Sequence, residues 1–411
     1  MRIKAAAILA FLILFIFIFF IFTAIAAAAT QKVLYTFTGG ADGAEPYAGL
    51  IFDPAGNLYG VTQNGGLYNG GTVFELTPSP GGAWTETVLY NFTGGSDGAD
   101  PTGDLVMDAS GNLYGTVVTG GDPSAQCGTA WELSPAQGAW TFAVKRTFLG
   151  GSKDGCGPLA GVTLDQYGRL AYMTTTAGGQ YGVGAAFGQF MASFGVKRGG
   201  DPSGTVNSWG FGAAYNGGAH GAGTVYYLNF MCNDASPEKG GCFESIVPKH
   251  AFTGGKGGAN PSGSLLEATA GEWNVMYGTT FSGGKYGKGT VYQLMQNAKG
   301  GATFSTLYNF SGADGENPNA GLAADAAGNL YGTTSSGGSD PGFSGTVFKL
   351  TPSVGKKGNV VWDCTTLYSF SGGDDGGDVY SGLVMDAAGN LYGTTNDGGA
   401  YGQGVVYEVI P

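Results

Sequence analysis

One pattern returns along almost the whole chain, and internal repetition restricts the fold more than any other sequence feature. Its first copy runs from Val33 to Pro78 as VLYTFTGGADGAEPYAGLIFDPAGNLYGVTQNGGLYNGGTVFELTP. The phrase GNLYG begins at Gly56, Gly111, Gly328 and Gly389, with looser copies beginning at Gly168 and Val275. A second phrase, GTVF or a near variant, begins at Gly71, Gly128, Gly184, Gly223, Gly289, Gly345 and Gly404, at intervals of 57, 56, 39, 66, 56 and 59 residues. Units therefore start near residues 33, 88, 144, 196, 247, 306 and 366. The interval of 39 marks a shortened fourth unit, where NSWGFGAA replaces the usual hairpin.

Each unit holds four short runs of Val, Leu, Tyr, Phe and Thr between Gly, Pro, Asp and Asn, which is the signature of strands and turns. In the first unit they are GLIFD, NLYGVT, GTVFEL and TETVLYNF, and DPAGN between the first two is a tight hairpin. No capped helical periodicity follows residue 30. Seven units of about 50 residues with four strands each predict an all-β fold, a seven-bladed β-propeller. The chain opens on a fourth-type strand, 33–37, and stops on a third-type strand, 405–409. Pairing the two would close the ring and hide two aggregation-prone edges.

The consensus LYxFxGGxDGxxPxxGLxxDxxGNLYGTTxxGGxxxxGTVFxL, carried by residues 33–411 with units three and four degenerate, resembles the Gloeo/Verruco (GloVer) tandem repeat of exported bacterial proteins. That resemblance implies an extracellular place and brings no established catalytic residues. The phrase DxxGNLYG is also loosely similar to repeats of lactonase-like and streptogramin-lyase propellers, which are metal-dependent enzymes. Their acid and histidine positions find no match here.

Arg2 and Lys4 precede an apolar run from Ala5 to Ala29 that ends in four alanines. Residues 1–29 thus read as a signal peptide cleaved before Thr30, or as an uncleaved membrane anchor. The remaining 30–411 form a single propeller domain placed outside the cytoplasm, secreted or at the cell surface. Without Arg2 and Lys4 the chain has 16 basic residues against 30 acidic ones, and such a surface repels phosphate backbones. Nucleic acid is excluded as a partner; a glycan or a surface protein is expected, a membrane only through an uncleaved N-terminus, and the protein is expected to be a monomer. In an oxidising compartment five cysteines should pair in part. Cys232 with Cys242 and Cys127 with Cys156 are the expected disulfides, leaving Cys364 over.

Alternating strands put the second-to-third-strand loops and the inter-unit connections on one face, where function is expected on a rigid scaffold. Those loops carry Tyr68, Tyr181, His220, Tyr286, Phe343 and Tyr401 at matching places, with Asp122 and Pro123 in the second unit. Tyrosine rings with polar tips suit sugar faces, and they equally suit packing between repeats. Carboxylates at Asp42, Asp97, Asp154, Asp314 and Asp375 offer oxygen ligands for Ca²⁺, but GGxDG is also ordinary turn chemistry, and no cofactor is required. The two histidines, His220 and His250, lie in different units, and no hydrolase or metalloprotease motif occurs. A carbohydrate-binding module leads; a metal-dependent lyase or lactonase and a structural envelope protein are the alternatives.

Overall fold

The structure, a computed structural model, describes residues 29–151, 154–159, 161–164, 170–178, 186–187, 205–233, 242–270, 273–297, 299–340, 342–356 and 358–411. Its elements are all strands. Five sheets have four antiparallel strands, and they correspond to the first, second, fifth, sixth and seventh units. Among the described residues the third unit contributes a three-stranded and a two-stranded sheet, and the fourth a three-stranded one. In the fourth unit NSWGFGAA lies in a ten-residue strand, Thr205–Ala214, paired along its length with Thr224–Asn233. No helix among the described residues is long and apolar enough to cross a membrane.

The second strand of the first, second, sixth and seventh units, such as Leu58–Thr62, is buried throughout, because neighbouring sheets cover both its faces. Its glycine has a packing role: a Cβ on Gly60 would lie 2.5 Å from the Phe74 ring on the partner strand. The phenylalanine of LYxF then wedges between units. Phe37 packs edge-on to Phe74 at 5.2 Å, Phe310 to Phe348 at 5.0 Å and Phe370 to Tyr407 at 4.9 Å. Each of these phenylalanines is fully buried.

Apolar clusters therefore form between successive units. Val73 and Phe92 meet Leu113 and Trp131, Val291 and Phe310 meet Leu330 and Phe348, and Val347 and Phe370 meet Leu391 and Tyr407. The seventh unit also packs on the first, through Tyr392 and Val406 against Leu58 and Phe74.

The termini pair as the strand types require: Thr30–Thr36 runs antiparallel to Val405–Ile410, so the seventh sheet takes its fourth strand from the N-terminus. A register shift between Val33 and Tyr35 matches those at Val73/Phe74, Ala130/Trp131, Val291/Tyr292 and Val347/Phe348 in other third-to-fourth pairs. The N-terminal strand thus adopts the bulge of a fourth strand and not merely its place.

The tight hairpin is a carboxylate-locked turn. Asp53 accepts hydrogen bonds from the Ala55 and Asn57 amides and from the Asn57 and Tyr59 side chains, and Asp108, Asp325 and Asp386 repeat the arrangement. Cys127 and Cys156 form the expected disulfide, with Cα atoms 4.4 Å apart, tying the second unit to the start of the third. Cys232 and Cys242 stand opposite one another in the strand register, and their side chains lie outside the described residues. Cys364 is a free, half-buried thiol.

Candidate functional site

The outer aromatic positions are where the repeat predicts. Tyr68, Tyr286, Phe343 and Tyr401 are exposed by 61, 52, 61 and 62%, and His220 is exposed as well. Tyr181 lies outside the described residues. No ring contact among the described residues joins any two of these side chains. Phe343, held at φ +52°, borders a shallow hollow of about 560 Å³ whose polar wall is the Lys288–Glu316 ion pair.

The five acids of the inter-unit connections serve the turns. Asp42 accepts from the Thr38 amide and hydroxyl and from the Tyr35 phenol, and Asp97 does the same with Thr93 and Tyr90. Asp314 takes Ser311 and Tyr308, and Asp375 takes Ser371 and Tyr368. Asp154 is bound by the Leu149 amide and by Arg146 at 2.7 Å; burial pushes its carboxyl up, and these partners more than offset that and hold it below the usual range. With their oxygens committed, these carboxylates act as turn locks. Among the described residues no group of three His, Cys, Asp or Glu could hold a metal ion. His250 lies flat on Phe304, with ring centroids 3.7 Å apart, and burial lowers its pKa.

A different set converges at the centre. Six inter-unit connections lead into an inner segment that reads PYAGL, PTGDL, PLAGV, PSGSL, PNAGL and VYSGL in turn, with second residues Tyr47, Thr102, Leu159, Ser262, Asn319 and Tyr380. The residue before the proline is held at positive φ in Glu45, Asp100, Asn260 and Asn317, and Asp378 matches them ahead of Val379. That backbone is costly outside glycine, and side-chain bonds hold it in place. Asn64 donates to Glu45, Thr119 to Asp100 and Ser282 to Asn260.

Tyr47 of the first unit and Tyr380 of the seventh stack with centroids 5.0 Å apart and planes 14° from parallel. Asn319 of the sixth unit donates its side-chain amide to the Tyr47 phenol at 3.5 Å. In the fourth unit the Tyr215 phenol, whose ring leans on Phe281, is pushed up by burial and then by Tyr47. Tyr380 is pushed up by burial, then by Asp378, then by Tyr47. Sequence-remote units therefore meet around one opening.

Below these side chains the inner segments touch in succession. A Cβ on Gly161 would meet the Asp104 carbonyl at 2.2 Å, one on Gly321 the Ser264 carbonyl at 2.8 Å, and one on Gly382 the Gly321 carbonyl at 3.8 Å. Gly49 lies against Gly382 on one side and donates its amide to Asp104 Oδ1 at 2.9 Å on the other. Where these units have Gly49, Gly161, Ser264, Gly321 or Gly382, the second has Asp104. Water reaches this side chain, yet protein encloses it, and that desolvation raises its pKa against the pull of the Gly49 amide. Two residues earlier, Thr102 is 6% exposed and its hydroxyl has no hydrogen-bond partner.

Neither Tyr47, Asn319, Tyr380 nor Asp104 stands out in a search for repeated side chains. Their signal is the reverse, a variable column inside an otherwise similar segment.

The profile of the Gloeobacter/Verrucomicrobia repeat family matches residues 20–187 and 244–411. No protein of curated function matches the sequence. Similar solved structures include an α-L-arabinanase from Penicillium chrysogenum in complex with arabinobiose, at 12% identity and TM-score 0.44, over 93% of this chain and 98% of that one. An α-L-arabinofuranosidase from Fusarium graminearum in complex with an iminosugar inhibitor matches at 11% identity and TM-score 0.44, over 89% of this chain and 93% of that one. With more than half of its length matched by the profile, the chain belongs to the Gloeobacter/Verrucomicrobia repeat family.

Proposed function

We propose that the protein is an exported, closed seven-bladed propeller that binds carbohydrate at its central opening. The observation that carries this reading is the meeting of Tyr47, Asn319 and Tyr380, from three different units. Repetition alone does not produce such a cluster, since a residue repeated for folding occupies the same place in every unit. Tyrosine faces with an amide and a carboxylate beside them match a sugar ring, which has apolar faces and a hydroxyl rim. Closure is supported by the paired terminal strands and by the packing of the seventh unit on the first. Export is supported by the basic start and apolar run, by the disulfide, and by a first strand that begins at Thr30, directly after the alanine tract.

A glycan array probed with the mature protein identifies the ligand, and titration calorimetry on that ligand measures the site. Tyr47→Ala and Tyr380→Ala should each weaken binding about tenfold while the fold is kept. Full affinity in both variants would remove the central mouth from the function. N-terminal sequencing of the exported protein should read Thr30 first; an intact Met1 end would replace the signal peptide with an anchor.

A further inference from the structure

Asp104 and Asp378 are carboxylates at an aromatic mouth with no cation beside them. Asp104 has the Gly49 amide, and no lysine, arginine or histidine among the described residues pairs with it or with Asp378. Carboxylates at such a mouth without a counter-charge attract a cation from outside. Two stacked tyrosines, Tyr47 and Tyr380, stand at the mouth, and tyrosine faces attract ammonium groups. The net charge of −12 favours the approach of a positive ligand.

Depth fits as well. Tyr47 and Tyr380 each stand two residues before the glycine that touches the Asp104 level, Gly49 and Gly382. Two residues of extended chain span about 7 Å, roughly the width of one sugar ring with its substituent. A ring held against the tyrosines would carry a substituent down to Asp104. Every other inner segment described has glycine or serine at that level, so the carboxylate is not there for the repeat.

We infer that the central mouth selects a sugar bearing a primary ammonium group, a deacetylated amino sugar, with the ammonium bound by Asp104 and the ring held against Tyr47 and Tyr380. This rests on the carbohydrate reading above and narrows it. Asp378, on the rim beside Tyr380 with Asp397 nearby, adds negative potential at the entrance.

The test is titration calorimetry of the mature protein with glucosamine oligomers and with their N-acetylated counterparts, at a mildly acidic pH that keeps the amines charged. The free amine should bind about tenfold more tightly, since acetylation removes the charge and leaves the ring. Asp104→Asn should abolish that preference, so that the two oligomers bind with equal affinity. Asp104→Gly, which restores the residue of four other units, gives the same reading in a background the repeat already tolerates. Equal binding of both oligomers would overturn the inference and keep the carbohydrate reading; so would a preference that survives in both variants. Binding of neither oligomer nor any neutral glycan would overturn both. A lysine-rich peptide that binds through Asp104 while the amino sugar does not would overturn the sugar in favour of a protein partner.

Discussion

Tyr68 and Tyr401 stand at matching places in the first and seventh units, exposed by 61 and 62% and out of ring contact with one another. Tyr47 and Tyr380, from the same two units, stack 5.0 Å apart. The outer pair repeats round the molecule and gathers nothing, since identical side chains at equal intervals are held apart by the blades that carry them. The inner pair belongs to a column that varies, and there the segments are close enough for single side chains to meet. A repeat protein spends its repeated residues on the fold, which frees the variable ones for recognition.

The largest effect should come from breaking a repeated position in the core. Phe310 is fully buried between the fifth and sixth units against Phe348. Phe310→Ala should cost about 3–5 kcal/mol by denaturant titration, because the two sheets cannot close over the space left. If it costs less than about 1 kcal/mol, the wedge described for LYxF is not what holds neighbouring units together.

Next in size is the disulfide, which replaces repetition where the units become irregular. Cys127 and Cys156 are 29 residues apart, and opening a loop of that length should cost about 3 kcal/mol. Cys127→Ser with Cys156→Ser should therefore lower the unfolding midpoint, and limited proteolysis should cut first in the third unit. Cleavage in the first or sixth unit instead would show that the irregular region does not depend on the staple.

A third comparison sets Glu86 against its counterparts in the outer strands. Between the first and second units, and between the fourth and fifth, this position packs an aromatic: Phe142 lies flat on Tyr90 at 4.0 Å and Phe304 on His250 at 3.7 Å. At the terminal strand the pair is Tyr35 and Glu86, and Glu86 Oε1 is buried without a hydrogen-bond partner. Burial, and then the charge of Asp42, push the Glu86 carboxyl up to about 7. A carboxyl raised by folding holds its proton better in the native state, so stability is full below the ordinary glutamate range and falls as pH rises through about 7. The loss should be about 2 kcal/mol after allowance for partial exposure. Asp104, Asp378 and Glu267 are raised in the same sense, so the measurement is a difference between proteins. Glu86→Phe should flatten the midpoint between about pH 5 and pH 8 relative to the parent. An unchanged slope would mean that Glu86 ionises freely and the terminal strand is looser than drawn.

The repeat made most of the fold legible. Strand types, the locked DPAGN turn and the pairing of the two ends all follow from one consensus, since each is a local demand that returns at fixed spacing. Cys127 and Cys156 were legible because their loops share a face. The long strand through NSWGFGAA was not legible, because its two glycines resemble turn residues yet Gly210 and Gly212 pair within it. A Cβ on Gly212 would strike the Tyr226 ring at 2.7 Å, so that glycine answers to packing across the sheet, a demand no local rule registers. The central mouth escaped for a related reason. Asn319 and Tyr47 are 272 residues apart, and only the tertiary packing of the sheets brings them within 3.5 Å.

The smallest effect is expected where the sequence drew most attention. Tyr401 stands in a glycine-rich loop with its ring largely in water and no ring contact among the described residues. Tyr401→Ala removes little buried area and no hydrogen bond given for its side chain, so stability should change by less than about 0.5 kcal/mol. Binding of the central ligand should stay within about twofold of the parent, since the loop lies on an outer part of its blade and supplies none of the residues that meet Tyr47. Calorimetry on a combined Tyr68, Tyr286 and Tyr401 to Ala variant makes the comparison exacting. If affinity for a short oligomer falls with that variant as far as it does with Tyr47→Ala, the outer ring is part of the same recognition surface. If affinity falls only for long polymers, the outer rings add secondary contacts along an extended chain, and the division between a folding ring and a binding mouth holds for the first sugar alone.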